Sequence, residues 1–297
     1  MRKSKGIYWL ASYPKSGNTW FRIFLANLLN QSDETVDLNA INIGTIASAR
    51  EWIEYALGFE SAHLSHNELD ALRPLIYEWY GDTEKVSYHK IHDAYTYLEN
   101  QQPIIPAANC LGVIYFIRNP LDVAISFANH LSCSIDIAID QMGNENYAFC
   151  SGRFRQFNQL QQKLLSWSGH VNSWMKANEI NILVLRYEDM KLNSKETFTR
   201  AVQFLQLTAT ADEIERALSH SHIEKLQQFE KQAYFSEKPL KTQYFFRKGV
   251  VGDWRETLTQ IQIKRIIHDH GETMRNFGYL DQNGDPILEQ GYYFSSS

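Results

Sequence analysis

The chain has 297 residues, 44% of them hydrophobic, 21% charged and 13% aromatic, a globular composition that excludes the disordered and fibrous classes. Its 29 Lys and Arg stand against 34 Asp and Glu, for a formal charge of −5. That balance argues against general nucleic-acid or membrane-surface binding, which needs a basic face, so any anionic ligand must be held by a few placed cations. Cys110, Cys133 and Cys150 are too few and too irregularly spaced for a disulfide framework or a CxxC metal knuckle, and read as reduced thiols of a cytoplasmic protein. The apolar run after the basic first residues is only about six residues long, too short for a signal-peptide core. No run approaches the roughly 18 apolar residues of a membrane helix, so a soluble chain with no membrane partner is expected.

In chain order, Gly6 to Ser12 is a short apolar, aromatic run that predicts a buried strand. A polar turn, Tyr13-Pro14-Lys15-Ser16-Gly17-Asn18-Thr19, follows at once. From Trp20 the apolar residues Phe21, Ile23, Phe24, Leu25, Leu28 and Leu29 fall on one helical side, ending near Asn30. Trp52, Tyr55, Phe59, Trp79 and Tyr80 form an aromatic-rich stretch that reads either as core or as the lining of an apolar cleft. A shorter strand is predicted over Lys85 to Ile91. Two more buried strands are predicted over Leu111–Ile117 and Asn181–Leu185, each closed by polar residues: Arg118-Asn119-Pro120 and Arg186-Tyr187-Glu188-Asp189. Near-continuous apolar strands separated by helical stretches predict a mainly parallel sheet covered on both faces, with ligands at the carboxyl ends of the strands. No proline lies between Leu121 and Lys238, which leaves Arg153–Lys176 and Ser194–Leu205 open to helix. With no linker or repeat in view, one α/β domain over 1–297 is expected, its core at about 7–275 and a loop-like tail at about 281–297.

Three strings carry chemistry. Strand, polar loop, helix around Lys15 presents backbone N–H groups to an anion; Lys15 supplies charge, Ser16 and Thr19 hydrogen bonds, and Gly17 close approach. An ordinary strand-to-helix turn would also account for it, and the order is not that of a Walker loop, whose lysine follows the glycine. The second string is Arg118-Asn119-Pro120-Leu121-Asp122-Val123-Ala124-Ile125-Ser126, in which Arg118 offers a planar fork to a phosphate and Ser126, about two helical turns on, a hydroxyl. Taken alone, Arg118 could equally pair with a local carboxylate. The third is Phe246-Arg247-Lys248-Gly249-Val250-Val251-Gly252-Asp253-Trp254, two adjacent cations followed by two glycines three apart.

Together, in this order, the three strings resemble those of the cytosolic-type sulfotransferase family. YPKSGNTW is similar to its YPKSGTTW 5′-phosphosulfate loop, with Asn18 the one departure; the second is similar to RNPxDxxxS and the third to RKGxxGDWK, with Arg255 for the last lysine. Weaker echoes are Ser166–Trp174, similar to GSWxxHVxxW, and Arg186–Met190, similar to RYEDM. The resemblance covers most of 7–275 and is weakest over about 31–84. It implies a P-loop-kinase-like single domain that moves a sulfuryl group from 3′-phosphoadenosine 5′-phosphosulfate (PAPS) to a hydroxyl of a small-molecule acceptor, releasing the desulfated nucleotide PAP. It implies that Lys15, Ser16, Gly17, Asn18 and Thr19 hold the 5′-phosphosulfate, that Arg118, Ser126, Arg247, Lys248 and Gly249 hold the 3′-phosphate, and that Trp20 and Tyr187 pack near the adenine. Nearness of YPKSGNTW and HKIHDAY to bacterial tailoring members implies a natural-product acceptor.

The acceptor oxygen must lose its proton, for which histidine is the usual base near neutral pH. Ten histidines are present. Tyr88-His89-Lys90-Ile91-His92-Asp93 resembles the family's KTH element, which implies His92 as base with Lys90 binding the sulfuryl group, and leaves His89 as the rival on chemistry alone. The pairs His63/His66, His89/His92, His220/His222 and His268/His270 signal no third ligand, so no metal is expected. A kinase would need the Walker lysine, and a catalytically silent nucleotide-binding protein would have lost His92 or Lys15. Arg255, Thr259, Gln260 and Lys264 occupy the positions of the family's KxxxTVxxxE dimer motif, and Lys264 in place of the acid departs from it, so the oligomeric state is left open.

Overall fold

The computed structural model describes residues 5–30, 34–39, 41, 43–82, 85–152, 156–238, 242 and 244–287. In chain order the elements are β1 (Gly6–Ser12), α1 (Asn18–Asn30), α2 (Arg50–Leu57), α3 (His66–Gly81), β2 (Val86–Ile91), β3 (Cys110–Ile117), α4 (Pro120–Leu131), α5 (Ile135–Gly143), β4 (Ala148–Phe149), β5 (Gln162–Lys163), α6 (Trp167–Met175), β6 (Ile182–Arg186), α7 (Tyr187–Leu192), α8 (Ser194–Phe204), α9 (Ala211–His220), α10 (Ile223–Gln232), α11 (Trp254–Thr257) and α12 (Gln260–Asn276). The four long strands form one central parallel sheet in the order β2-β1-β3-β6, the mixed α/β architecture expected from the apolar runs. The chain divides into two compact units, one of Met1–Tyr13, Ile43–Tyr115 and Asn144–Val184, the other of Pro14–Asn42, Phe116–Gly143 and Leu185–Ser297.

In the first unit β1 is buried along its whole length and pairs parallel with β2, from Gly6 opposite Val86 to Ala11 opposite Ile91. The matched register brings Ser12 and His92 to the same end of the pair. The other edge of β2 is covered by the segment around Ile46, with Lys90 N–H donating to the Thr45 carbonyl (3.1 Å) and Ala47 N–H to the Lys90 carbonyl (2.8 Å). Beneath β1, the Trp9 ring meets Tyr77 edge-on at 4.9 Å. Arg73, 1% exposed, is reconciled with burial by a fork onto Asp93 (2.9 and 2.7 Å), a longer contact to Asp70 (3.3 Å) and a bond from its Nε to the Tyr77 hydroxyl (2.8 Å). Buried charges persist only when paired and hydrogen-bonded in this way.

The helix expected over 153–176 is largely overturned. Of its residues outside 153–155, which lie beyond the described set, only Trp167–Met175 are helical, and Gln162–Lys163 form a ladder with Ala148–Phe149. Lack of proline permits a helix without imposing one. Here the backbone groups find partners elsewhere: Leu160 N–H donates to the Ser48 carbonyl (2.7 Å) and Ala94 N–H to the Lys163 carbonyl (2.7 Å). Ser166 then starts α6 as its N-cap, accepting Gly169 N–H at 3.0 Å. The expected helix over Ser194–Leu205 is α8, one residue shorter. Of the tail, residues 281–287 form a turn closed by a bridge between Leu280 and Pro286; the rest lies outside the described residues.

The second unit is helical around two apolar clusters. One is aromatic, with Phe24 against Phe198 at 4.5 Å and Phe21 against Phe116 at 5.0 Å. The other holds Ile23, Leu38, Leu226, Phe235 and Phe246. Asn119 caps α4 by accepting Leu121 N–H (3.0 Å), with Pro120 in the first turn, where its missing N–H costs nothing. Glu188 is fully buried, and burial raises its pKa against the pull of Arg186; it accepts Asn119 N–H (2.9 Å) and the Tyr279 hydroxyl (3.0 Å).

Each unit carries a buried histidine held neutral by loss of solvation: His170, its pKa pushed down to about 3, and His270, down to about 4. Folded values below the unfolded value of about 6.5 mean that the unfolded chain takes up these protons first as the pH falls. Stability from both is therefore complete above about pH 6.5 and is lost at up to ~1.4 kcal/mol per pH unit per histidine as the pH drops toward 4. Urea unfolding at pH 7, 6 and 5 is expected to show this decline, and a His270→Gln variant a shallower one; equal slopes would remove His270 from the account.

Candidate active site

Arg118, at the end of β3, is the hub of the second unit's polar cluster. It is 8% exposed. Its guanidinium donates to the Lys15 carbonyl (3.2 Å) and the Val250 carbonyl (3.1 Å), and lies 4.1 Å over the Tyr187 ring. One side chain thus touches the loop after β1, the start of α7 and the 247–254 loop. The Arg118 Nε–H is buried and has no hydrogen-bond partner among the described residues, and neither does the buried Ser16 Oγ. A buried donor without a partner is costly, so two unmet polar atoms in one loop cluster point to a polar ligand.

The loop after β1 has the close approach that its glycine predicts. Gly17 sits at φ 101°, and a Cβ there would meet the Tyr187 ring at 2.8 Å. Lys15 itself is left-handed at φ 71°, a strained setting for a side chain with a Cβ and one that clusters at functional sites. Its ammonium lies 4.1 Å over the Phe245 ring. Asn18 and Thr19 are buried at the first turn of α1, and Trp20 meets the Tyr187 ring edge-on at 6.0 Å. Ser126 is half-buried on α4.

Arg247 and Lys248 both bind Asp253, Lys248 at 2.6 Å. Burial works against the charged form of Asp253, but the hydrogen bonds from Lys248 and Arg247 prevail and hold its pKa below the usual carboxylate value. Gly249, at φ 62°, packs so close to Ile223 that a Cβ would come within 2.7 Å. Asp122, which sequence reasoning passed over although it stands inside the RNPLDVAIS string, is 0% exposed. It accepts Gly252 N–H (2.7 Å) and Trp254 N–H (3.0 Å), and lies 4.0 Å from Arg118. Glu230 likewise accepts Phe245 N–H and Phe246 N–H (2.6 and 3.0 Å). These two carboxylates pin both ends of the cationic loop.

His92 and Lys90 belong to the first unit. His92 Nδ1 lies 2.8 Å from the Ser12 carbonyl and 3.2 Å from the Ser12 hydroxyl. A carbonyl only accepts, so in the neutral ring Nδ1 carries the proton and Nε2 the lone pair. His89 is different: buried, it accepts Thr45 N–H at Nδ1 (3.2 Å), meets Ser87 Oγ at Nε2 (2.9 Å) and stacks on Trp52 at 4.7 Å. Alternation along β2 points Lys90 to the opposite face from His89, and Lys90 is 8% exposed. The aromatic stretch divides. Trp52 is core, and Tyr80 packs edge-on against it at 4.9 Å, whereas Tyr55, Phe59 and Trp79 are more than half exposed.

Among the described residues no helix is long and apolar enough to cross a membrane, and no group of three or more His, Cys, Asp or Glu could hold a metal ion.

The sulfotransferase domain family matches residues 7–278, and the chain belongs to this family of sulfuryl-transferring enzymes. Among curated relatives, the 3-alpha-hydroxysteroid sulfotransferase of Cavia porcellus is 26% identical over 271 residues, covering 90% of this chain and 83% of the relative. Sulfotransferase 2A1 of Rattus norvegicus is 26% identical over 273 residues, covering 90% and 84%. Among solved structures, retinol dehydratase in complex with androsterone and PAP superposes with a TM-score of 0.61 at 17% identity, over 93% of this chain and 83% of that one. A mouse sulfotransferase complexed with PAP gives 0.55 at 18%, over 95% and 87%. The likeness to these structures is one of fold.

The anchoring role of Asp122 is directly testable. Asp122→Ala removes two charge-assisted hydrogen bonds, each worth ~1.5–3 kcal/mol, and 1.4 kcal/mol already corresponds to a factor of ten. Tryptic cleavage after Arg247 or Lys248 is expected to become at least about tenfold faster with helicity unchanged. Cleavage at the wild-type rate would show that the loop is held by something else.

Proposed function

We propose that this enzyme transfers the sulfuryl group of PAPS to a hydroxyl of a small-molecule acceptor, with His92 as general base. The observation that carries the reading is the Arg118 cluster: a buried guanidinium joining the Lys15 loop, Tyr187 and the Arg247 loop, with Arg118 Nε–H and Ser16 Oγ lacking partners among the described residues. An adenylate with phosphates at both ends suits this donor set, since both unmet atoms can donate to anionic oxygens.

In this reading Lys15, Ser16, Gly17, Asn18 and Thr19 hold the 5′-phosphosulfate at the start of α1, where the helix N-terminus favours negative charge. Arg118, Ser126, Arg247, Lys248 and Gly249 hold the 3′-phosphate, with Trp20 and Tyr187 near the adenine. PAPS supplies an activated sulfuryl group and PAP is its leaving group. His92 takes the acceptor hydroxyl proton at Nε2, a role that its Nδ1–H bond to Ser12 supports. Lys15 and Lys90 offset the negative charge that builds on the transferred and leaving oxygens. The relatives named for hydroxysteroids support a hydroxyl acceptor, and the resemblance to cytosolic-type members supports a cytoplasmic site of action.

Removing a general base costs ~10²–10⁴-fold. His92→Ala is expected to lower turnover at least about a hundredfold while PAP affinity, measured by calorimetry, stays within about threefold. A His92→Ala enzyme that turns over normally would refute the base. In the same calorimetric measurement, Arg118→Ala is expected to weaken PAP at least about tenfold, in line with the loss of a charged hydrogen bond; unchanged binding would take Arg118 out of the nucleotide site.

A further inference from the structure

The string Ser166–Trp174 is not used by the transfer reaction described above, yet its side chains grip the main chain of the residues around His92. His170 Nε2 lies 3.0 Å from the His92 carbonyl, Trp174 Nε1–H donates to the Asp93 carbonyl at 3.1 Å, and Ser173 Oγ accepts Tyr95 N–H at 2.9 Å. Three side chains of α6 thus hold backbone groups at positions 92, 93 and 95. The Asp93 carboxylate, turned the other way, is locked by the Arg73 fork. His170 and Tyr115 are both 0% exposed.

The chemistry fixes the direction of the His170 bonds. The His92 carbonyl can only accept, so the neutral His170 ring carries its proton on Nε2 and must accept at Nδ1. The donor there is the Tyr115 hydroxyl, 2.8 Å away, which burial keeps a phenol by raising its pKa. The Tyr13 ring closes the pocket edge-on against His170 at 5.5 Å. The His92 carbonyl thereby selects the His170 tautomer, and the Tyr115 hydroxyl, able to donate or accept, orients the ring by donating to Nδ1.

We propose that His170 is a positioning residue for His92: its Nε2–H, oriented by Tyr115, holds the His92 carbonyl so that the imidazole keeps its place against Ser12. This rests on His92 being the base. Displacing a reacting group by about 1 Å can cost on the order of 10²-fold in rate, so a polar contact made only to the main chain can control turnover without touching either substrate.

Two substitutions separate positioning from packing. His170→Phe keeps a ring in the pocket and deletes the donor; His170→Gln keeps an N–H able to reach the carbonyl. Steady-state kinetics with PAPS and a saturating hydroxyl acceptor are expected to show kcat lowered at least about tenfold in His170→Phe. Acceptor KM and PAP affinity should stay within about threefold, and His170→Gln should recover most of the loss. A kcat within twofold of wild type in folded His170→Phe, or equal losses in the two variants, overturns the proposal. If His170→Phe does not fold, Tyr115→Phe decides: it removes the hydrogen bond that orients the His170 ring, and unchanged kcat defeats the proposal where a roughly threefold or greater loss supports it. His92→Ala assayed alongside keeps the two readings apart. An inactive His92→Ala with an unimpaired His170→Phe defeats positioning alone, whereas an active His92→Ala defeats the base assignment itself.

Discussion

A guanidinium cannot be buried without partners, and the partners chosen by Arg118 organise the second unit. Its charge is met by two main-chain carbonyls, by the face of Tyr187 and, at longer range, by Asp122. None of these is a bidentate carboxylate of the kind that makes Arg73 a closed structural pair. The contrast is chemical. Arg73 has its anion built in, whereas Arg118 is surrounded by weaker acceptors, and its Nε–H has no hydrogen-bond partner among the described residues. The surrounding loops turn tightly at Gly17, Gly249 and Gly252, and Asp122 and Glu230 pin the 245–254 segment through its main-chain amides.

Three histidines of the first unit sit in three different environments. His89 has both nitrogens engaged and a ring packed between aromatic neighbours, which makes it part of the core. His170 is fully buried and held neutral by desolvation, with Nε2–H turned toward the His92 carbonyl and Nδ1 toward Tyr115. His92 alone is half-buried, with Nδ1 bonded to Ser12. Of these three rings, His92 is the one that combines a fixed orientation with partial exposure.

Departures from the family pattern are small in the loops and larger on α12. Asn18 remains buried at the start of α1, so a second small polar residue serves that turn. Arg255 lies over the Trp254 ring at 5.6 Å. On α12, Lys264 stands beside Arg265, which binds Asp136 and Asp140 of α5 at 3.1 Å and closer. Arg265 is thus engaged by α5 within the same chain, at the helix where the family's dimer motif would fall.

What could be read from residues in order was whatever depends on local pattern. Apolar runs of strand length, the 3.6-residue rhythm after Trp20 and the cation-and-glycine strings all announce themselves because their cause lies within a few neighbours. The sequence alone determined the α/β class and named Arg118, the Lys15 loop, Tyr187 and the Arg247 loop, but gave no role to the anchoring acids Asp122, Glu230 and Asp253. It misjudged 156–166, where lack of proline was compatible with helix but Ser48 and Ala94, far along the chain, took the backbone hydrogen bonds. Tertiary structure alone packed His89 into the core while leaving His92 half-buried against Ser12, gave Asp122 its two amides and turned Ser166–Trp174 into a clamp. Burial and long-range hydrogen bonds decide such matters, and both depend on residues that no local window contains.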